Sequence, residues 1–284
     1  MTAINATFRP PVGFGPGTQP EAGEEGLAYL PMPSGMRTYE PHVPTLADAA
    51  AVALLERIRD ALTAWRPGEE TRVPLDGVAA DVLAPLDEAL GEGEVSVLVD
   101  TAGARLEIQE AALAGVWRVR AVDGAAPPRH AVLIGAFPRV AVNRAFTPAP
   151  AAPATAPAAG LMNALPILAE LTDRSAARRP GAPAHAVNFS LLPHTPEDLA
   201  FLEARLGRGA TTILSRGYGN CRVTATATPH VWWVRYYNSV DTLILDTVEV
   251  TDVPAVVCAA PEDIADSAER LTDILAALAA EARP

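Results

Sequence analysis

Residues 83–99 read LAPLDEALGEGEVSVLV, and residues 199–215 read LAFLEARLGRGATTILS. Slid by 116 positions, the first stretch lies on the second without a gap: Leu86 meets Leu202, Leu90 meets Leu206, and Gly91 and Gly93 meet Gly207 and Gly209. The same offset holds from about Leu83 to Val140 and brings Gly103 over Gly219, Trp117 over Trp233 and Pro138 over Pro254. Coincidences of Gly, Trp and Pro at one fixed offset mark a tandem duplication, and a repeat decides the architecture before any single element does.

Working outward, each copy opens with a helix, TLADAAAVALLERIRDALTAW (45–65) in the first and LMNALPILAELTDRSAA (161–177) in the second. A short strand follows, near Arg72–Leu75 and Ala186–Leu191, then a second helix, Asp81–Leu90 and Pro196–Leu206. Thr195 is placed to cap the latter, Pro196 suits a first helical position, and Gly91 and Gly207 read as C-cap glycines. Strands at Ala210–Ser215, Cys221–Thr228, Val231–Tyr237 and Thr242–Val250 complete an antiparallel meander. The fold class is therefore α+β, a duplicated helix–strand–helix–meander unit with helices covering one face. A last segment, PEDIADSAERLTDILAALAA (261–280), sets Ile264, Ala268, Leu271, Ile274, Leu275 and Leu278 on one stripe and predicts a C-terminal helix with no counterpart in the first copy. Residues 1–43 are rich in Pro and Gly with no helical or strand period and read as an extended arm. The first repeat then runs over 44–146, a Pro/Ala linker over 147–160 and the second repeat over 161–284.

Composition bounds the function. A net charge of −12 argues against a nucleic-acid partner, since phosphate binding needs a basic footprint. No apolar run is long enough for membrane insertion, no signal peptide opens the chain, and two cysteines make no disulfide framework, so a cytoplasmic protein is expected. Gly13, Gly15 and Gly17 are not a dinucleotide loop, and neither a phosphate loop nor a serine elbow is present.

The first copy serves as an internal control: features shared by both copies serve the fold, and features found only in the second are candidates for function. Gly219 has its counterpart in Gly103, and with Gly217 it is assigned to a structural turn. Around it, DTAGAR becomes RGYGNC and LAGVWRVRAV becomes PHVWWVRYYN, which introduces Tyr218, Asn220, Cys221, His230, Trp232, Tyr236, Tyr237 and Asn238. Alternation puts Trp232, Val234 and Tyr236 on one face of their strand and Trp233, Arg235 and Tyr237 on the other, with Trp233 assigned to the core through its match to Trp117. Tyr and Trp at the edge of a core also anchor protein interfaces, so the introduced residues, together with Arg222 and Arg235, form the candidate partner-binding set. Met36 and Tyr39 in the arm segment LPMPSGMRTYEPHVP join them as apolar contacts.

Cys221, in a strand, reads first as a small buried hydrophobe. Cys258 has no metal-ligand spacing to it, and with His230 only three weak ligands can be named, so no metal or cofactor is assigned. A Cys221–His230 pair facing across one hairpin is the remaining route to a thiol enzyme, and it lacks an acidic orienting residue. No catalytic residue is assigned.

The stretch from Gly207 to Leu271, with GYGNCR and WWVRYYNS at its centre, closely resembles the C-terminal region of the HupH/HyaF family of hydrogenase expression/formation proteins, and the arm segment is similar to that family's N-terminal part. The resemblance implies a non-enzymatic accessory protein, a chaperone in the maturation of NiFe hydrogenases. It would act on the small, iron–sulfur subunit precursor with its twin-arginine leader before export, with other maturation proteins as further partners. The alternatives are an iron–sulfur assembly or carrier protein using Cys221 and Cys258, and a thiol enzyme using Cys221. Some family members are linked to a rubredoxin-like module; the paired CxxC that such a module requires is missing from this chain.

Overall fold

The computed structural model describes residues 49–124, 126–147, 159–217 and 219–281. The arm residues Met36 and Tyr39 and the loop residue Tyr218 lie outside them. The first repeat contributes α1 (Ala49–Ala64), β1 (Thr71–Pro74), α2 (Ala80–Leu90), β2 (Val95–Thr101), β3 (Ala104–Glu110), β4 (Val116–Asp123), β5 (Arg129–Ile134) and α3 (Arg139–Ala145). The second contributes α4 (Ala164–Ala176), β6 (His185–Asn188), α5 (Pro196–Leu206), β7 (Thr211–Ser215), β8 (Asn220–Ala225), β9 (Val231–Tyr237), β10 (Leu243–Val250), a 3-10 turn at Ala255–Val257 and α6 (Pro261–Glu281).

All ten strands form one antiparallel sheet in the order β1-β5-β4-β3-β2-β7-β8-β9-β10-β6. The two five-stranded halves meet where β2 pairs with β7, and there Val97 lies opposite Ile213, its own equivalent at the offset of 116. Residues that pair with their own equivalents define a local two-fold axis, the isologous geometry of a symmetric dimer interface.

The duplication is confirmed, but its register is not gapless. Ile108 pairs with Val97 in the first half, while Val223 pairs with Ile213 in the second, so the offset falls to 115 across β3 and β4. It returns to 116 in β5, where Ile134 opposite Val116 matches Val250 opposite Val231. The residue equivalent to Trp117 is therefore Trp232, not Trp233. Both indoles are wholly buried, and both donate to a backbone carbonyl at matched positions, Trp117 to Gly135 at 2.9 Å and Trp232 to Thr251 at 3.2 Å. Trp233 stands where the first repeat has Arg118.

Helices cover both faces of the sheet, not one. On one face α3 and the 3-10 turn, each entered through a proline (Pro138 and Pro254), lie over a central core of Val97, Ile108, Trp117, Ile213, Val223 and Trp232. On the other, α4 and α5 close a core around Phe189, Trp233 and Val248, while α1 and α2 cover Val116, Val132 and Ile134. The predicted apolar stripe of α6 is correct in composition, and it crosses back to pack on α1 and complete the first repeat's core.

Local chemistry sets these elements. Thr195 and Asp198 form a capping box at the start of α5, with Pro196 in its first turn. Asp198 also accepts the backbone N–H groups of Met162 (2.9 Å) and Ala164 (3.0 Å) and so caps α4 from a neighbouring helix. Burial alone would raise its pKa; the backbone donors outweigh that and hold it at about 2. Gly93 and Gly209 are required by close approach: a Cβ would stand 2.2 Å from the Ala111 carbonyl oxygen in one and 2.2 Å from that of Ala145 in the other.

Candidate functional site

The second repeat differs from the first most at one end of its meander, where the β7–β8 and β9–β10 loops lie side by side. Gly219 has φ +97° and Gly103, its counterpart, +91°, so the shared glycine answers a backbone need. Gly217 shows no such φ; a Cβ there would meet only the end of the Glu94 side chain. The Arg216 N–H donates to the Glu94 carbonyl at 3.1 Å and fixes the loop against the start of β2. In the other loop, Asn238 Oδ1 accepts the N–H groups of Val240 (3.0 Å) and Thr242 (2.9 Å), and Asp241 takes φ +57°. Asn220 Nδ2 reaches Asp241 Oδ1 at 3.5 Å and links the two loops. Between them lies a cleft of 330 Å³ lined by residues that include Asn220, Cys221, Arg222 and Tyr237.

The rim of this end is apolar and exposed. Val240 is 76% exposed and Ile244 60%, with Leu243 beside them. At the outer edge of β10, Asp246 is held by the Phe189 N–H (2.9 Å) and by Ser190 Oγ (3.1 Å), and the chain leaves that edge with Leu191 80% exposed and Leu192 also open to solvent. Asn163 Nδ2 donates to the Pro193 carbonyl at 2.7 Å and brings in the start of α4, where Met162 and Leu165 are exposed too. The first repeat has Asp123, Gly124, Ala126, Pro127, Pro128 and Arg129 where the second has this loop, with no large apolar side chain among them. A set of exposed large apolar residues along one edge marks an interaction surface, whereas single ones need no explanation.

The predicted residues divide on this map. Asn220 and Arg222 are exposed at this end, and Tyr236, Tyr237 and Asn238 are half-buried there. Trp232 is corrected to a core residue, packed edge-on against Phe146. Arg235 stacks over Trp233 at 4.5 Å and pairs with Glu203 (2.5 Å) and Asp246 (3.4 Å). His230 sits at the opposite end of β9, with φ +62° where the first repeat has Gly115 at +78°, and 3.5 Å from Asp252. Sequence reading missed the rim itself. Its signal was available in SVDTLIL (239–245), an apolar run at a loop where the first repeat carries prolines.

The Cys221–His230 nucleophile reading loses its geometry. Cys221 pairs with Tyr236, while His230 follows the strand end at which Trp232 opposes Ala225. At about 3.3 Å per residue the two positions are separated by roughly 20 Å along the strands. Cys221 is buried, and burial pushes its thiol up to about 11, against a lowering contact with Tyr236, whose own phenol burial pushes up to about 12. Burial likewise raises Cys258 to about 11, with Glu110 adding to it. Thiols held protonated at neutral pH are poor nucleophiles. Among the described residues no three His, Cys, Asp or Glu side chains are placed to hold a metal ion. No helix among them is long and apolar enough to cross a membrane.

Fold and site define a duplicated α+β protein that closes one sheet about a local two-fold axis and carries an exposed apolar end on its second half. The family profile described as "HupH hydrogenase expression protein, C-terminal conserved region" matches twice, over residues 49–146 and 161–278, and so recognises both repeats. The chain belongs to this HupH family. It is 49% identical over 275 residues to the hydrogenase expression/formation protein HupH of Rhodobacter capsulatus, covering 95% of this chain and 97% of that one. It is 35% identical over 281 residues to the hydrogenase-1 operon protein HyaF of Escherichia coli, covering 95% and 97%. A solved structure of the hydrogenase expression protein HupH from Thiobacillus denitrificans is 31% identical, with a TM-score of 0.38, and covers 40% of this chain and 96% of that one.

Proposed function

We propose that this chain is a cytoplasmic, non-enzymatic maturation protein for a NiFe hydrogenase, and that it holds the iron–sulfur small-subunit precursor on the apolar end of its second repeat. Its relatives are named for hydrogenase expression and formation, which supports the maturation role. The observation that carries the reading is the asymmetry between two halves of one symmetric sheet: among the described residues, large exposed apolar side chains such as Val240, Leu243, Ile244, Leu191 and Leu192 stand on the second half only. A scaffold that keeps its fold in both copies and opens an apolar edge in one is built to bind a polypeptide. Tyr237, Asn220 and Arg222 border that edge and supply polar contacts around it.

The test is co-purification of the full chain with the small-subunit precursor from cells that produce both. Ile244→Asp combined with Leu191→Asp is expected to melt like the parent, because both side chains stand in solvent, and to lose at least tenfold in recovered complex. Full recovery of complex by a folded double variant refutes this site. Recovery of no complex by the parent chain refutes the small subunit as its partner.

A further inference from the structure

A second surface lies on the face of the sheet that carries α1, α2, α4 and α5, between the two helix pairs. Two rows of side chains cross this face in register. One is Arg118, Gln109, Ser96, Leu214, Arg222 and Arg235; the next is Arg120, Glu107, Leu98, Thr212, Thr224 and Trp233. Clefts of 460 Å³ and 450 Å³ open along them and share Thr212 and Leu214 as a common floor. Leu214 is 41% exposed although it sits at the centre of a ten-stranded sheet.

The walls are basic on an acidic protein. The clefts are lined by Arg105, Arg118, Arg120, Arg208, Arg222 and Arg235 against three carboxylates, Asp87, Glu107 and Glu203, while the chain as a whole carries −12. Glu107 is shared between Arg105 (3.2 Å) and Arg120 (2.7 Å). Arg118 reaches Asp87 at 3.1 Å, yet among the described residues its buried Nε has no hydrogen-bond partner. Arg222 stands directly opposite Arg235 across β8 and β9, an arrangement that destabilises a sheet unless an anion lies between or beside them. Arg235 is matched by Glu203 and Asp246; among the described residues Arg222 and Arg208 have no ion pair.

The dimensions select the occupant. The Arg118–Asp87 and Arg235–Glu203 pairs tie α2 to β4 and α5 to β9, strands that lie five spacings apart. At about 4.8 Å per spacing those strands are roughly 24 Å apart, and two helix radii taken from that leave roughly 13 Å, room for one helix of about 10–12 Å diameter. We infer that this trough docks a single amphipathic helix of a partner protein, its apolar stripe on Leu98 and Leu214 and its flanking Asp and Glu side chains on the unmatched arginines. Helix-in-groove recognition of this kind reads apolar anchors at i, i+4 and i+7, with charges deciding the partner. The trough shares Arg222 with the border of the second repeat's apolar end, whereas Arg208 lines the trough and not that cleft.

Fluorescence anisotropy with the full chain tests it. The probe is a labelled 15-residue helix with a leucine stripe flanked by glutamates, and its counterpart is the same helix with every glutamate changed to lysine. The glutamate helix should bind at least tenfold more tightly than the lysine helix, and that preference should shrink as salt rises. Arg208→Glu with Arg222→Glu breaks no ion pair among the described residues, should melt like the parent and should reverse the preference. Leu214→Asp should weaken the glutamate helix at least tenfold. Equal affinity for the two helices, or an unchanged preference in the folded double variant, overturns the proposal. A dimer seen by sedimentation in the parent and absent in the double variant also overturns it, by giving the trough to a second copy of the chain.

Discussion

Glu110, at the end of β3, is 8% exposed, and its Oε1 accepts the Gly115 N–H at 3.3 Å. Burial is the main influence on its carboxyl and raises the pKa from 4.5 to about 7; the Gly115 and Val95 N–H groups oppose this, and Glu94 and Asp263 add to it. The folded protein therefore holds this proton more tightly than the unfolded chain does. Stability from this group is fully present below about pH 4.5 and is lost as pH rises to about 7, above which the cost is constant. At 1.36 kcal/mol per pH unit the full cost is roughly 3 kcal/mol, of which about 2.5 kcal/mol falls between pH 5 and pH 8. Glu110→Gln keeps the shape and an oxygen to accept the Gly115 N–H but has no charge to bury. Denaturant unfolding of both proteins at pH 5, 6, 7 and 8 is the assay, and the difference between them cancels every other titrating group. The variant should gain about 2–3 kcal/mol on the parent between pH 5 and pH 8. A difference that stays flat across that range refutes the claim that Glu110 is buried as an acid.

Gly209→Ala should cost about 3 kcal/mol or more in a thermal melt, since its Cβ would meet two backbone carbonyls, whereas Gly217→Ala should change stability by less than about 0.5 kcal/mol, the flexible Glu94 side chain giving way. Cys221→Ala should cost about 1–2 kcal/mol as a small cavity and leave hydrogenase maturation intact; a normal melt with maturation abolished would return a function to the thiol. Asp198→Ala strips the shared cap from α4 and α5 and leaves several backbone N–H groups unpaired, with an expected loss of about 3 kcal/mol by denaturant unfolding.

The duplication, the caps at Thr195 and Gly207 and the α6 stripe were legible because each rests on a few neighbouring residues. The one-residue slip between β2 and β3 was not, since adjacent tryptophans at 232 and 233 let either one match Trp117. Only strand pairing decides between them, and pairing is a contact between distant parts of the chain. The seven-residue α3 was missed because its apolar residues are short and its start is marked by a lone proline. The candidate set mixed surface and core for the same reason: alternation tells which residues share a face, but not which face is covered at which point along the sheet. The arginine trough escaped entirely, because most of its residues come from strands in both repeats and meet only in register.

The pairing of Val97 with Ile213 has an ancestral reading. A gene encoding one repeat would yield a subunit whose β7 edge is open, and two such subunits would close the same sheet as a homodimer. Joining the copies in one chain makes that association intramolecular and frees each half to change independently. Prolines could then settle in one loop and leucines in the other, and a symmetric ancestor could acquire a direction.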